Sequence, residues 1–355
     1  MKRAWKIIRF ILIIVIGLEI FLHFYNPFSG RVKNGEIVLP RNVSYSVGID
    51  HIPGLDSHIL HTKNSFGFRG EELRDDHDLK VLCMGGSTTE CFYLNDGRDW
   101  PNLLWKRLKQ ERPKIWLNNA GMDGQSSFGH LAMLKQYILD LKPDYIILMC
   151  GLNDIGLQNP STFDTYDNTW FKKVYNFLEL PSTIVNIIRA GDAKKAGLQH
   201  RFFKDFSKEE KLVLNDSQIY RQLKDQKKFL SGYVERITEF TNLCKKNNIG
   251  LIFVSQAILF SDEQDPFTDV NLGEIKTGTT NGRGKSLMMK MYNEATFNLA
   301  DTMHVGFINL SARLPKDTRF FYDGYHFTND GAEMVADIIY DEIKTQGLMP
   351  AVKQK

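Results

Sequence analysis

Short apolar runs alternate along the chain with stretches of helical periodicity. The apolar runs have the length of buried strands and cover residues 79–84, 115–118, 144–150, 249–255 and 305–310. The helical patterns cover residues 100–112, 127–141, 217–247, 287–303 and 329–345. Such alternation is typical of a parallel sheet that helices cover on both faces. We therefore predict an α/β domain with three layers, a flavodoxin-like fold with a five-stranded parallel sheet.

The first 26 residues carry a different pattern. Basic residues come first: Lys2, Arg3, Lys6 and Arg9. An apolar run over 10–24 follows, interrupted only by Glu19 and His23, and with the preceding isoleucines it is long enough to span a bilayer. Bulky residues come next, whereas a cleavage site has small ones. We expect an uncleaved signal-anchor over 1–26 with its basic end cytoplasmic and the rest of the chain exported. A cleaved signal peptide is the alternative.

Residues 27–78 lie between this anchor and the regular alternation. They are rich in Gly, Pro, Asn and His, so we interpret them as an extended lead-in on the outside of the domain. Arg69, in a turn-rich stretch, is expected to hold the lead-in in place. We interpret His51, His58 and His61 as ordinary surface or core residues rather than metal ligands.

The domain is predicted to span 79–346, with insertions at 156–216 and 256–286 and a tail at 347–355. The first insertion has a stripe at helical spacing, expected to pack in a core or cap rather than to stack on sugar: Phe163, Tyr166, Trp170, Val174 and Phe177. The second insertion is too long for an ordinary loop and is expected to form a lid or groove wall. Its residues 278–286 nearly match a phosphate-binding loop, but the glycine spacing is wrong. We predict a flexible rim there.

Composition and charge narrow the functional classes. The chain has 45 basic and 42 acidic residues in 355, a net charge of +3, and is 43% hydrophobic, as in a globular protein. Four basic residues and one acidic residue in the anchor account for this excess, so the remainder has no basic footprint for nucleic acid. The four cysteines show neither C-x-x-C nor zinc spacing, so no metal is expected, while disulfide pairing stays open.

Glycines and polar residues follow four of the predicted strands directly. Ser87 comes after two glycines at the end of the first strand, and residues 119–126 and 151–154 follow the second and third. Asp323 and His326 come after the fifth, just before the last helix. Because the carboxyl ends of parallel strands meet at one edge of the sheet, we expect these residues to converge on one site.

These residue types are those of nucleophilic catalysis. A serine hydroxyl reacts poorly until a histidine takes its proton, and the histidine needs a carboxylate to orient it. We assign Ser87 as nucleophile, His326 as base and Asp323 as its partner. An oxyanion would need donors, for which the candidates are the N–H groups of Ser87 and Gly124 and the amide of Asn153. The G-x-S-x-G elbow does not fit, because a threonine replaces its second glycine.

Together these blocks resemble the SGNH, or GDSL-type, hydrolases over residues 79–346. The first block matches 85–88, where Gly-Gly-Ser-Thr replaces Gly-Asp-Ser-Leu; G-x-N-D matches 151–154, and D-x-x-H matches 323–326. The glycine of the second block matches best at Gly124, with Gly121 as its rival.

The resemblance implies a serine esterase or acyl hydrolase that works through an acyl-enzyme, without metal or cofactor. We expect its substrate to be an ester-linked acyl group, acetyl in particular, on carbohydrate. One alternative is an O-acyltransferase (O-acetyltransferase) that modifies cell-surface polysaccharide with the same residues and a partner that supplies the acyl donor. Another is a carbohydrate-binding relative without activity, which the intact blocks disfavour.

Overall fold

The structure is a computed structural model. It describes residues 2–25, 32–33, 36–49, 52–161, 163–164, 178–181, 183–184, 187 and 203–349. The chain divides into a larger unit, residues 39–164 with 201–355, and a smaller unit, residues 1–38 with 165–200. All residues of the candidate site belong to the larger unit.

Five parallel strands form the central sheet of the larger unit. They are β1 Leu79–Gly85, β2 Ile115–Asn119, β3 Tyr145–Met149, β4 Gly250–Val254 and β5 Gly306–Ile308. Their spatial order is β2–β1–β3–β4–β5, and all neighbouring pairs are parallel. The order reverses beside β1, as in flavodoxin-like sheets. The predicted fold is confirmed.

The strands read as continuous apolar runs because both faces of the sheet are covered. Val81, Leu82, Cys83 and Met84 on β1 are fully buried, so side chains that alternate between the two faces are all inside. Among the covering helices, α3 packs against α9, and α6 packs against α7. The helices whose bounds are described are, in chain order, α1 Lys2–Phe24, α2 Ser87–Glu90, α3 Trp100–Glu111, α4 Ser127–Met133, α5 Leu139–Leu141, α6 Asp216–Lys246, α7 Gly282–Thr302, α8 Leu310–Arg313 and α9 Asn329–Thr345.

Shorter elements complete the described part of the unit. A π-helical turn, Leu134–Ile138, joins α4 to α5. Single 3₁₀ turns lie at Leu152–Asp154 and Phe206–Lys208. The strands Lys276–Thr277 and Thr280–Asn281 form a small hairpin directly before α7.

Side-chain caps fix where the helices begin. Asp99 accepts a hydrogen bond from Asn102 N at the start of α3, and Thr328 accepts one from Gly331 N at the start of α9. Helix α7 begins at Gly282, five residues before the predicted start at residue 287, because Asn281 caps it by accepting a hydrogen bond from Gly284 N. Part of the predicted rim at 278–286 is therefore helix.

The lead-in forms a hairpin that Arg69 ties to the domain. The strands Val43–Gly48 and His58–Lys63 pair antiparallel. The Arg69 guanidinium is buried and donates to the carbonyl oxygens of Glu90 and Cys91 at 2.8 and 2.7 Å. The expectation for Arg69 thus agrees with the geometry.

The smaller unit contains the predicted anchor. Helix α1 is long and apolar enough to cross a membrane, with a mean hydropathy of 2.4, a property that signal sequences share. Glu19, which interrupts the apolar run, accepts a hydrogen bond from Leu180 N at 2.9 Å. Four members of the helically spaced stripe in the first insertion lie outside the described residues: Tyr166, Trp170, Val174 and Phe177. His51 also lies outside them.

Candidate active site

The turn from β1 into α2 places Ser87 at the carboxyl edge of the sheet. β1 ends at Gly85, Gly86 caps α2 with extended backbone, and Ser87 is the first helical residue. A Cβ on Gly85 would lie 2.7 Å from the Met149 carbonyl oxygen on β3, so only glycine permits this approach. The N–H of Ser87 lies in the first turn of α2, where it has no intrahelical acceptor and is available to a ligand.

Ser87, His326 and Asp323 form a hydrogen-bonded row. The Nε2 atom of His326 lies 2.8 Å from Ser87 Oγ, and Nδ1 lies 2.7 Å from Asp323 Oδ2. With Nδ1 protonated, His326 donates to the carboxylate and its Nε2 accepts from the serine hydroxyl. The serine and the histidine are buried and 239 positions apart in the chain. The fold therefore brings together the three residues that the sequence singled out.

Asp323 is held by the loop that carries it. Its Oδ1 accepts hydrogen bonds from the N–H groups of Tyr325 and His326 at 2.7 and 2.8 Å. The loop also closes on itself, since Tyr322 N donates to the His326 carbonyl oxygen at 3.0 Å. The carboxylate and the imidazole are thus oriented by contacts within five consecutive residues.

The surroundings of Asp323 favour its charged form. Burial alone would raise its pKa, but the charge of His326 and the hydrogen bonds from His326 and Tyr325 outweigh burial, so the pKa lies below its usual value. An ionised carboxylate at this position would stabilise an imidazolium if His326 accepted a proton.

Asn153 lies against the backbone that precedes Ser87. Gly151 has a φ of +108°, a conformation that favours glycine, and it turns the chain from β3 into the 3₁₀ turn that carries Asn153. Asn153 Nδ2 donates to the Gln125 carbonyl oxygen at 2.9 Å. A Cβ on Gly86 would come within 2.7 Å of the same nitrogen. The amide has a second hydrogen, so Asn153 can also donate to an oxyanion at Ser87.

Of the two rival glycines, Gly124 fits a donor role better than Gly121. The N–H of Gly121 donates to Asn119 Oδ1 at 2.9 Å, and a Cβ on Gly121 would lie 2.3 Å from Glu90 N. Gly121 therefore serves close packing against α2. The N–H of Gly124 donates to no group in the described part of the chain. Its φ is +70°.

Two buried networks around the site were missed by the sequence analysis. The Lys63 ammonium lies 3.0 Å from Glu90 Oε1, and Glu90 Oε2 accepts from Asp123 N at 2.5 Å. This pair links the lead-in, the end of α2 and the loop that carries Gly124. A basic residue in the lead-in carries no local signal that it will meet an acid at the end of α2.

Asp154, the last residue of G-x-N-D, has a structural environment. It is fully buried and accepts hydrogen bonds from Ser127 Oγ at 2.5 Å and Arg236 Nη2 at 3.2 Å. Burial raises its pKa above the usual value even though these donors act in the opposite direction. Asp154 therefore connects the third block to α4 and α6 and does not contact Ser87.

A small cavity borders the serine. Its volume is about 10 Å³, and Gly86, Gln125, Cys150, Asn153 and Gln256 are among the residues that line it with Ser87. This is room for roughly one water molecule. A larger cavity of about 930 Å³ lies beside β5 and contains none of the triad residues. In the described ranges, no group of three His, Cys, Asp or Glu residues could hold a metal ion.

A profile of the GDSL-like lipase/acylhydrolase family matches residues 83–334, more than half of the chain. The chain belongs to this family. Membership supports an ester-hydrolysing enzyme and confirms the resemblance drawn from the motifs.

Individual relatives are distant. Esterase TesA of Pseudomonas aeruginosa is 32% identical over 74 residues, which are 21% of this chain and 37% of the length of TesA. The solved structure of Axe2, an acetylxylan esterase from Geobacillus stearothermophilus, has 14% identity and a TM-score of 0.46 over 76% of this chain and 96% of Axe2. At this distance the GDSL-like family, rather than any one relative, describes the chain.

Proposed function

We propose that this protein is a serine esterase that removes acetyl groups from carbohydrate through an acyl-enzyme. The single observation that supports the chemistry best is the row from Asp323 through His326 to Ser87, with distances of 2.7 and 2.8 Å. These distances are within the range in which a histidine can take the proton of a serine nucleophile.

The proposed reaction has two halves. Ser87 Oγ attacks the ester carbonyl carbon while its proton passes to His326 Nε2, and the carbonyl oxygen becomes an oxyanion. The N–H groups of Ser87 and Gly124 and the amide of Asn153 stabilise that oxyanion. The tetrahedral intermediate then expels the sugar alkoxide, which takes the proton from His326, and leaves an ester on Ser87. Water then attacks the acyl carbonyl carbon and gives a proton to His326. When the second tetrahedral intermediate collapses, Ser87 Oγ takes that proton and the carboxylic acid leaves.

The size of the cavity favours a small acyl group. About 10 Å³ is available beside Ser87, which suits a methyl group better than a long chain. Phe163 closes the other side of the loop, because a Cβ on Gly124 would lie 2.8 Å from its ring. An acyl chain of several carbons would have to displace residues of the cavity wall such as Cys150 or Gln125.

We further propose that the larger unit faces the exported side of a membrane. The basic residues before the apolar part of α1 favour a cytoplasmic N-terminus. An esterase held there would meet glycans of the cell surface. In this proposal the small cavity beside Ser87 selects the acyl group, and the location of the larger unit gives it access to polymeric carbohydrate.

The test uses the full-length protein in detergent with nitrophenyl acetate, butyrate and octanoate. We expect kcat/KM to fall as the acyl chain lengthens, and a fluorophosphonate to label Ser87 alone. Ser87→Ala and His326→Ala should each remove most of the activity and the double variant little more, because the two residues act as one unit. Ser231→Ala, an exposed serine on α6, is the matched control. Labelling that persists in Ser87→Ala would overturn the assignment.

The same experiment separates hydrolysis from acyl transfer. Added oligosaccharide competes with water for the acyl-enzyme. If acetate release is slow and the acetyl group appears on the oligosaccharide, the protein is an O-acyltransferase that uses the same residues.

A further inference from the structure

Two contacts connect Lys285 to the loop that carries Asp323 and His326. It lies in the first turn of α7, and its Nζ is 5.6 Å from the ring centroid of Tyr325. Tyr325 directly precedes His326, and the centroids of their rings are 6.4 Å apart. The ammonium therefore lies no farther from the imidazole than these two distances together.

Lys285 differs from the other cations of this border. Lys276 pairs with Glu210 at 2.7 Å, and Arg283 pairs with Asp216 at 2.8 Å. Lys204 pairs with Glu209 at 3.1 Å. Lys285 has no carboxylate within 4.0 Å among the described residues, and no neighbouring charge perturbs it.

The Tyr325 ring, 5.6 Å from the ammonium, compensates only part of the hydration that Lys285 loses on burial. The Lys285 side chain is half-buried, and a charge removed from water is destabilising unless it is paired. Burial accordingly lowers the pKa of Lys285 to about 8. An anion that arrives with the substrate would supply the missing partner and would stabilise the ammonium form.

We propose that Lys285 binds an anionic group, a carboxylate or a phosphate, that the acylated substrate carries near the ester attacked by Ser87. This inference rests on the proposed esterase function and refines it: the substrate is an acidic glycan. Lys285 is then a determinant of specificity, and the hairpin Lys276–Thr277/Thr280–Asn281 supports it through the contact of 3.2 Å between Thr277 Oγ1 and the Tyr325 hydroxyl.

The experiment compares substrates that differ only in charge. The full-length protein in detergent is given an acetylated methyl glucuronoside as the free acid and as its carboxyl methyl ester, and acetate release is measured at pH 7. A second arm uses acetylated glucose 6-phosphate against acetylated glucose. The measured quantity is the ratio of kcat/KM for the acidic substrate to that for the neutral one. A higher ratio in one arm identifies the carboxylate or the phosphate.

We expect Lys285→Met to lower this ratio about tenfold or more, because a hydrogen bond to a charged group is lost. Lys285→Arg should retain most of the ratio. Lys290→Met is the matched control, since Lys290 lies on the same helix and is exposed near Glu294 at 3.8 Å. A fall of both kcat/KM values by the same factor in Lys285→Met would indicate a structural role and would overturn the proposal.

A pH series adds a readout that packing alone would not give. Between pH 7 and pH 9.5 Lys285 loses its proton, because its pKa lies near 8, so the ratio should fall in the wild-type protein. In Lys285→Arg it should stay constant, because arginine does not titrate there. Tyr325 faces Lys285 and stays neutral, since burial raises its pKa. An effect of pH on the chemical step that is common to both substrates cancels in the ratio.

The outcomes separate this inference from the function on which it rests. If nitrophenyl acetate is not cleaved at all, the esterase proposal fails. If it is cleaved while the wild-type protein shows no preference for either acidic substrate, the esterase proposal stands and the role of Lys285 is refuted.

Discussion

Gly86 allows a test of the proposed oxyanion hole that leaves the side chains of Ser87, His326 and Asp323 in place. Its backbone is extended, with φ −83° and ψ −150°, so alanine can adopt it. A Cβ there would lie 2.7 Å from Asn153 Nδ2 and 3.3 Å from the Gln125 carbonyl oxygen. Gly86→Ala therefore pushes the Asn153 amide away from the serine without touching Asp323 or His326.

The size of the effect follows from this distance. A carbon and a nitrogen in ordinary contact are about 3.5 Å apart, so the amide must move by roughly 0.8 Å. A misplacement of about 1 Å in a catalytic constellation costs on the order of a hundredfold in rate. We expect kcat to fall about a hundredfold, equivalent to about 2.7 kcal/mol of transition-state stabilisation. KM should change little, because the ground-state ester does not depend on the oxyanion donor.

The assay measures kcat and KM with nitrophenyl acetate, together with thermal unfolding. Asn153→Ala is the reference, and it should lower kcat by a hundredfold or more. Gly48→Ala is the control, because a Cβ on Gly48 meets nothing within 4 Å. A Gly86→Ala protein that folds normally and keeps kcat within threefold of the wild type would refute the placement of Asn153 in the oxyanion hole.

Three further predictions concern the pair of Lys63 and Glu90, the four cysteines and the orientation of the chain in a membrane. Lys63→Met should lower the free energy of unfolding by about 3 kcal/mol, since it removes the ammonium that lies against the buried Glu90 carboxylate. Adding Glu90→Gln should recover most of that loss; a double variant as unstable as the single one would contradict the pairing. All four cysteines are free and buried, so Ellman's reagent should react only after denaturation, and fast reaction of the native protein would count against this packing. A reporter fused after residue 355 should be active only outside the cytoplasm; cytoplasmic activity would disprove the proposed orientation.

The sheet and the triad could be predicted because their signals are local or follow from topology. A strand buried on both faces reads as an apolar run, and parallel order brings the carboxyl ends together. Ser87 and His326 were therefore found together although 239 positions separate them. The motif spacing around Asp323 added the third member.

The remaining features depend on contacts that leave no pattern in the sequence. Gly282 and Gly284 suggested a loop, yet Gly282 begins α7 and Gly284 lies in its first turn. A Cβ on Gly282 would lie 1.9 Å from the Leu272 carbonyl oxygen, so close packing requires glycine there. The choice between Gly121 and Gly124 depended on which N–H already had an acceptor. The pairing of Lys63 with Glu90 is likewise a tertiary contact.

The loop that closes on Asp323 has a consequence for how the enzyme becomes active. The carboxylate and the imidazole are aligned by their own short stretch of chain, so their relative geometry can be established before the rest of the molecule is in place. Within the row of Asp323, His326 and Ser87, the long-range distance that remains is the 2.8 Å between His326 and Ser87. Recovery of activity during refolding therefore requires the arrival of the C-terminal loop at the end of β1, together with the placement of Asn153 and Gly124 beside Ser87. The rate at which a fluorophosphonate labels Ser87 during refolding would therefore measure how fast this part of the domain assembles.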